Sequence, residues 1–468
     1  MRRTKIVATI GPASREPETL ARMVEAGMDV ARLNFSHGNR EIHAENAQRI
    51  RNAAGQVGRQ VAILQDLPGP KLRIGAIRND LAELKPGDRL VLVGGSQEPG
   101  DERRMSVSWS GLADAVDRDD VIYLADGAIR LRVNGLPGND GEVETLVEIG
   151  GAVASRQGLN IPGSTRGLEA LPEEDLDMLK FGEAIGVDLV ALSFVRTAED
   201  VTSVRRHTRL PLIAKIEKPQ AMNAAEEIIR AADCVMVARG DLGIELPIAD
   251  VPMAQKQLLR IAGRLARPSI TATQMLDSMV NSPRPTRAEV TDVANAILDG
   301  TDAVMLSQET AIGAYPVESV AMMASVAERT EHALPYQIWN EERVRRDARD
   351  AAYTVAYSAC AAARDLHLAA LVVPTLSGRS ARLISAHRPQ VPILALSPGK
   401  ETVRRCSLMW GVQAGSMRRH EITEALIADA AKRVVELGWV KSGARVGITA
   451  GLPSGRPGTT SLVQIQRV

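Results

Sequence analysis

The sequence predicts an α/β chain built around a (β/α)8 (TIM) barrel, with an inserted all-β lid domain and a C-terminal open-sheet α/β domain. Three observations carry this. Eight short β-branched or aliphatic runs alternate with Ala/Glu/Arg-rich helical stretches, and eight βα units are what closes such a barrel. About 120 residues separate the third run from the fourth, far more than a βα loop needs. After residue 350, helices and strands resume in a separate series.

The eight runs are TKIVATI (4–10), DVARLNF (29–35), QVAILQD (60–66), VDLVALSF (187–194), LPLIAKIE (210–217), CVMVARGD (234–241), PSITATQ (268–274) and TDAVMLS (301–307). Each finishes in polar or charged residues at its C-terminal end, where barrels of this kind place their active sites. Within the long connection, KPGD, EPGD and LPGND separate the strand-like pieces RLVLV, VIYLA and AIRLRV, a pattern that reads as a β domain over 68–161. Its first boundary, LPGP (67–70), and its second, IPG (161–163), carry Pro and Gly, as the paired hinges of a moving lid do. A rigid decorative insertion is the competing reading. The barrel then comprises 1–67 and 162–335. A charged stretch, NEERVRRDARD, leads into a third domain over 336–468, with strands expected at ALVVPT (370–375), PILALS (392–397), ARVGITA and SLVQIQ.

Composition narrows the function. Lys+Arg (57) balances Asp+Glu (57), which argues against a nucleic-acid or acidic-membrane binder and leaves a local cationic pocket open. Three separated cysteines, Cys234, Cys360 and Cys406, fit reduced thiols. There is no secretory h-region and no run approaching about 20 apolar residues, so a soluble cytoplasmic protein is expected.

The densest chemistry lies at the ends of the fifth and sixth runs. In IAKIEKP, Lys215 and Glu217 alternate with an apolar residue and so share the face toward the barrel mouth; Asp241 ends the next run. Two carboxylates from adjacent strands suit a hard divalent ion, Mg2+ or Mn2+, that leaves positions for substrate oxygens. Lys215 beside them would neutralise a transferring phosphoryl group. A plain Lys–carboxylate ion pair is the alternative. Gly240 and Asp241 sit where a strand turns into a helix, so their N–H groups are candidates to receive a substrate carboxylate, or simply serve the turn. On the second run, Arg32, Asn34 and Ser36 share one face and suit phosphate, with His37 opening the loop; a hydrogen-bonded strand cap would use the same residues. Thr273 and Ser307 close runs seven and eight as anion ligands or as turn caps.

Taken together, RRTKIVATIGPAS, ARLNFSHG, IAKIEKP, VMVARGDLGIELP, ATQMLDSM, PRPTRAEVTDVANAILDGTDAVMLS and ETAIGAYPVE resemble the signatures of the pyruvate kinase family in order and spacing, over nearly the whole chain. The resemblance implies phosphoryl transfer from phosphoenolpyruvate to ADP, giving pyruvate and ATP, in a homotetramer whose C-terminal domain is regulatory. Carried over by position, it assigns Glu217 and Asp241 to the divalent ion and Lys215 and Arg32 to charge on the moving phosphoryl group. It assigns Gly240, Asp241 and Thr273 to the substrate carboxylate. Thr273, with Ser307, would orient a water or relay that protonates the enolate, and Asn34, His37 and Arg73 would contact the nucleotide. A metal-dependent lyase acting through an enolate on the same barrel is the alternative; Lys215 and Arg73 disfavour it.

Where the family reads Asp-Thr-Lys-Gly-Pro-Glu-Ile-Arg, this chain has Asp66-Leu67-Pro68-Gly69-Pro70-Lys71-Leu72-Arg73. Leu67 removes a hydroxyl ligand of the family's activating K+, and Lys71 puts an ammonium where the family has a carboxylate. Lys71 with Asp66 is therefore expected to replace the monovalent cation, making K+ unnecessary; a mere Lys71–Asp66 ion pair is the alternative. Gln308 stands where the family has Gly and bears on the loop beside the site, and Gly167 stands where many members have Asp, with no consequence assigned. In the third domain, VVPTLSGRSAR presents Thr375, Ser377, Gly378, Arg379 and Ser380 at a helix start, the parts of a phosphate cradle or of a capping turn. Its likeness to the family's effector loop implies a phosphorylated sugar or nucleotide activator, over which the loop 450–460 with Arg456 is expected to close.

Overall fold

Eight parallel strands close into the expected barrel. The computed structural model describes residues 2–135, 141–162, 167–334, 336, 350–451 and 460–468. The barrel strands are β1 (Lys5–Thr9), β2 (Val30–Asn34), β3 (Ala62–Asp66), β4 (Leu189–Leu192), β5 (Leu212–Ile216), β6 (Cys234–Ala238), β7 (Ser269–Ala272) and β8 (Ala303–Leu306), with each sequence neighbour a spatial neighbour and β8 closing on β1. Nearly every strand residue is buried, because one face fills the barrel and the other meets the helices. Helices begin where the sequence supplies caps. Asn39 Oδ1 accepts the Ile42 N–H at 2.9 Å at the head of Arg40–Val57. Thr197 with Asp200, and Thr286 with Glu289, form capping boxes for Ala198–Arg205 and Arg287–Leu298.

The barrel floor carries a repeat that spans the whole ring. An aspartate stands just before each even-numbered strand and accepts the N–H at or near the start of the preceding odd one: Asp29 from Ile6 (2.9 Å), Asp188 from Ile63 (2.9 Å), Asp233 from Leu212 (3.0 Å) and Asp302 from Ser269 (3.0 Å). Each also pairs with arginine: Asp29 with Arg2 (2.7 Å), Asp188 with Arg51 (2.6 Å) and Arg404 (2.7 Å), Asp233 with Arg205, and Asp302 with Arg388 (2.7 Å). Arg388 and Arg404 come from the C-terminal domain, which therefore grips the end of the barrel opposite the strand C-termini.

Between β3 and β4 the chain builds a six-stranded sheet in the order Leu159–Asn160, Val121–Leu124, Ile129–Val133, Glu142–Ile149, Arg89–Gly94, Arg104–Val107. All its pairs are antiparallel except the last. A second pair joins Leu81–Leu84 to Gly151–Ala154. The insert has its own apolar core, including Leu90, Leu92, Ile122, Leu131 and Val143. Its two connecting segments pair with each other, Leu159 N–H to Leu72 O at 2.9 Å and Ile74 N–H to Gln157 O at 3.0 Å. Of the IPG segment at 161–163, Gly163 lies outside the described residues.

The C-terminal sheet runs Val412–Ser416, Ile393–Ser397, Ala370–Pro374, Arg445–Gly451, Thr460–Arg467, parallel except for the last pair. Val412–Ser416 is absent from the sequence expectation: VQAGS has only one β-branched residue and becomes a strand by pairing with Ile393–Ser397. The charged stretch at 337–349 lies outside the described residues. Among the described residues no helix is long and apolar enough to cross a membrane.

Candidate active site

The C-terminal strand ends open into a cavity of about 360 Å³, walled on one side by the insert. Strand parity delivers its lining. Arg32 and Asn34 come from β2, with Ser36 and His37 just beyond; Asp66 ends β3; Lys215 and Glu217 end β5; Asp241 heads helix Arg239–Glu245. Lys71 and Arg73 reach in from the first connecting segment, and Arg156 and Gln157 from the second. Most of the residues singled out in the sequence thus converge on one space.

The ammonium of Lys215 is the centre of the charge network. It donates to Ser193 Oγ at 2.6 Å and lies 2.9 Å from Glu217 Oε1 and 3.3 Å from Asp66 Oδ1. Asp66 Oδ2 meets Arg32 Nε at 2.7 Å, and Arg32 Nη1 donates to Thr9 Oγ1 at 3.0 Å. Burial alone would lower the Lys215 pKa, but the carboxylates of Asp66, Glu217 and Asp241 outweigh it and raise the value. Burial would raise Asp66, yet Lys215 and Arg32 pull it below the usual range. Glu217 goes the other way, up to about 7, because burial and the nearby Asp241 charge outweigh Lys215 and the Phe194 N–H, which donates to Oε2 at 2.6 Å.

That imbalance bears on a divalent cation. Glu217 Oε1 is buried and accepts no hydrogen bond of normal direction, although Lys215 stands 2.9 Å away. A buried carboxylate whose charge is disfavoured by burial and by the neighbouring Asp241 suits a hard cation, which would share Glu217 with Lys215. Among the described residues no group of three or more His, Cys, Asp or Glu forms a metal cage, so a cation here would take two protein carboxylates and leave its other positions to substrate and water. The residues fit the group.

Gly240 and Thr273 are bonded to each other. Thr273 Oγ1 accepts the Gly240 N–H at 2.7 Å and donates to Ala272 O at 2.7 Å, so in this state the Gly240 amide is not free for a substrate carboxylate. Thr273 and Gln274 both hold positive φ, 70° and 52°, a strained pair at the mouth. Arg239 braces it by donating to Thr273 O at 2.8 Å while pairing with Asp292 at 2.7 Å. Ser307 has a buried Oγ without a partner, and its N–H donates to Glu309 Oε2 at 2.7 Å. The Lys71–Asp66 pair is not formed: Asp66 is held by Arg32 and Lys215, and among the described residues Lys71 makes no ion pair.

Sequence reasoning missed Ser193, Phe194 and Arg156. Ser193 also donates to Leu67 O at 2.7 Å, and Phe194 aims its N–H at Glu217 through a φ of 55°. Arg156 lines the cavity from a left-handed turn, φ 63°. Only the polar end of ALSF hinted at the first.

In the C-terminal domain Gly378, φ 83°, precedes helix Arg379–Ala386 and donates its N–H to Thr375 Oγ1 at 3.0 Å. Ser380 Oγ lies 2.5 Å from Thr460 Oγ1. Arg379 is paired with Asp350, which itself caps helix Ala351–Asp365, and Ser377 is exposed. Arg456 lies outside the described residues.

A barrel mouth that gathers Arg32, Arg73, Arg156, Lys71 and Lys215 around the carboxylates of Asp66, Glu217 and Asp241, beneath an inserted domain, is that of a barrel enzyme acting on anions. The family models for the barrel domain and the alpha/beta domain of pyruvate kinase match residues 1–320 and 353–466. The chain is 44% identical over 470 residues to the pyruvate kinase of Geobacillus stearothermophilus, covering 99% of this chain and 80% of that one. It is 41% identical over 471 residues to that of Bacillus licheniformis, with 99% and 80% covered. A crystal structure of a pyruvate kinase from Cryptosporidium parvum superposes with a TM-score of 0.93 at 33% identity, covering 100% of this chain and 96% of that one. The chain belongs to the pyruvate kinase family.

Proposed function

We propose that this enzyme transfers the phosphoryl group of phosphoenolpyruvate to ADP without needing K+, and that its C-terminal domain binds a phosphorylated sugar or nucleotide activator. The lyase alternative is not favoured by the family matches. The observation that carries the transfer reading is the buried set Lys215, Arg32, Glu217 and Asp66 at the mouth of the barrel.

In the reaction an oxygen of the ADP β-phosphate attacks phosphorus, the bond from phosphorus to the enol oxygen breaks, and the enolate left behind takes a proton at carbon to become pyruvate. Lys215 and Arg32 are held on Asp66, so two cations stand ready for charge on the equatorial oxygens, and little reorganisation is needed as it redistributes. A divalent cation, Mg2+ or Mn2+, held by Glu217 and Asp241 would supply Lewis-acid neutralisation of substrate oxygens. Asn34, His37, Arg73 and Arg156 face the same cavity from the side on which the nucleotide would lie. Thr273, with the unpartnered Ser307 Oγ, would orient the water that delivers the proton. The substrate carboxylate would sit by Asp241 at the helix head.

Lys71 supports the K+-independent reading. Its ammonium borders the cavity, and among the described residues no acid neutralises it, so a tethered positive charge is available where a bound ion would otherwise be recruited. Replacing K+ by tetramethylammonium at constant ionic strength, in an assay coupled to lactate dehydrogenase, should leave activity within about twofold; Lys71→Glu should restore a K+ requirement. Loss of wild-type activity without K+ sinks the proposal. A homotetramer in the cytoplasm completes the reading; all three cysteines are free and buried. Effector binding would use Thr375, Ser377, Gly378, Arg379 and Ser380, with Arg379 released from Asp350.

A further inference from the structure

We propose that Asn160, Lys218 and Glu245 are positioning residues that tie the seat of the inserted domain to the two carboxylates at the barrel mouth. The inference rests on the reading of Glu217 and Asp241 as the metal ligands.

Glu245 is the last residue of helix Arg239–Glu245, and its side chain is fully buried. Lys218 Nζ meets its Oε1 at 2.5 Å, itself only 5% exposed. Each partner is a chain neighbour of a proposed ligand: Lys218 directly follows Glu217, and Glu245 lies one helical turn beyond Asp241. The ion pair therefore fastens the end of β5 to the helix that bears Asp241.

The insert joins at the same atom. Asn160 Nδ2, from the strand by which the chain returns to the barrel, donates to Glu245 Oε1 at 3.1 Å. Lys218 Nζ also reaches Ile161 O at 3.4 Å, and Gln220 Nε2 donates to Pro162 O at 3.1 Å. Lys218 lies 5.7 Å over the Phe194 ring, whose backbone N–H holds Glu217 Oε2. One carboxylate oxygen is thus the junction of the insert, the Glu217 segment and the Asp241 helix.

Stability alone does not call for this arrangement. A buried ion pair is often no better than a well-packed apolar pair, and Glu245 Oε2 is left buried without a partner. What the pair provides is direction, since charge-assisted hydrogen bonds fix both distance and angle. The outgoing connection is held more simply, by Asp175 Oδ2 on the Gly69 N–H at 2.8 Å. The returning strand is accordingly where a displacement of the insert is passed to Glu217 and Asp241.

Asn160→Ala removes the insert's side-chain hydrogen bond to Glu245 and keeps the ion pair and the contacts to the Ile161 and Pro162 carbonyls. Lys218→Met/Glu245→Leu removes the pair without stranding a buried charge. Mn2+ binding is followed by the EPR signal of free Mn2+, with no substrate present, beside hydrogen exchange at 158–162 and steady-state kinetics. For Asn160→Ala the Mn2+ dissociation constant and the KM for ADP should each rise about tenfold, the scale of one hydrogen bond to a charged group, with faster exchange at 158–162 and little change in melting temperature. The double variant should weaken Mn2+ binding at least as much. Mn2+ affinity within twofold of wild type in both variants overturns the inference, even if their stability falls. A wild-type protein that binds no Mn2+ or does not convert phosphoenolpyruvate and ADP overturns the underlying reading as well, whereas active wild type with unaffected variants overturns the inference alone.

Discussion

The two ends of the barrel use the same residue types and reach opposite electrostatic states. On the floor, Asp29, Asp188, Asp233 and Asp302 each hold a backbone N–H and an arginine, so every carboxylate has both a hydrogen bond and a charge partner. At the mouth, the Lys215 ammonium is shared between Asp66 and Glu217, and burial with the neighbouring Asp241 charge raises Glu217 to about 7; positive φ angles occur at both ends, at Phe194, Thr273 and Gln274 in the mouth and at Arg388 on the floor. The floor is built for stability and for carrying the C-terminal domain; at the mouth the charge of a buried carboxylate, Glu217, is only partly compensated.

Lys215→Ala strikes the mouth and carries the largest expected effect. Turnover in the coupled assay should fall on the order of 10³-fold, as for loss of a preorganised charge stabiliser, while Mn2+ still binds. Retention of more than a tenth of wild-type kcat contradicts a central role for this ammonium. Arg388→Met strikes the floor. Arg388 is fully buried, stacks 4.7 Å from the Trp410 ring, and holds Asp302 at 2.7 Å and Gly300 O at 2.9 Å. Its loss leaves Asp302 short of its charge partner and should destabilise by about 3–5 kcal/mol in thermal or urea unfolding. Because Arg388 lies at the opposite end from the cavity, kcat at 25 °C should stay within twofold; a kcat that falls in step with stability would erase the contrast between the two ends.

Both ends were written in the sequence, but only one could be read there. Lys215, Glu217 and Asp241 were legible because strand parity and position at a C-terminal end fix where a side chain points. The floor aspartates recur visibly as MDV, VDL, ADC and TDA, yet each caps an N–H on the preceding strand, and that partner emerges only from barrel closure. Ser193 was hidden because its role depends on the reach of Lys215 across from β5, and Phe194 because a positive φ leaves no mark in residue type. Gly240 and Thr273 were expected to face an anion, and the structure satisfies one with the other. In the insert, Arg89–Gly94, Val121–Leu124 and Ile129–Val133 were legible from their turn clusters, whereas Glu142–Ile149 is absent from the sequence expectation and Val412–Ser416 depends on its neighbour for its conformation.

The smallest effect tests whether the contrast extends to the segment that leads into the insert. Asp175, in the first turn of helix Glu173–Ala184, is buried at the mouth, and burial pushes its pKa up to about 6, with Glu174 and Asp66 adding to the rise and the Gly69 N–H opposing it. The unfolded chain releases this proton near 3.9, so the folded state binds it more tightly. The group's contribution to stability is therefore fully present below about pH 4 and is lost as pH rises through 6. Asp175→Asn keeps an acceptor for the Gly69 N–H and carries no charge. Its melting temperature should exceed that of wild type by a few degrees at pH 7.5 and by clearly less at pH 5. The floor variant Asp302→Asn should do the reverse at pH 7.5, because its carboxylate holds a buried arginine. If Asp175→Asn is less stable than wild type at pH 7.5, this carboxylate belongs with the satisfied floor groups and the division between the two ends does not reach the segment around Gly69.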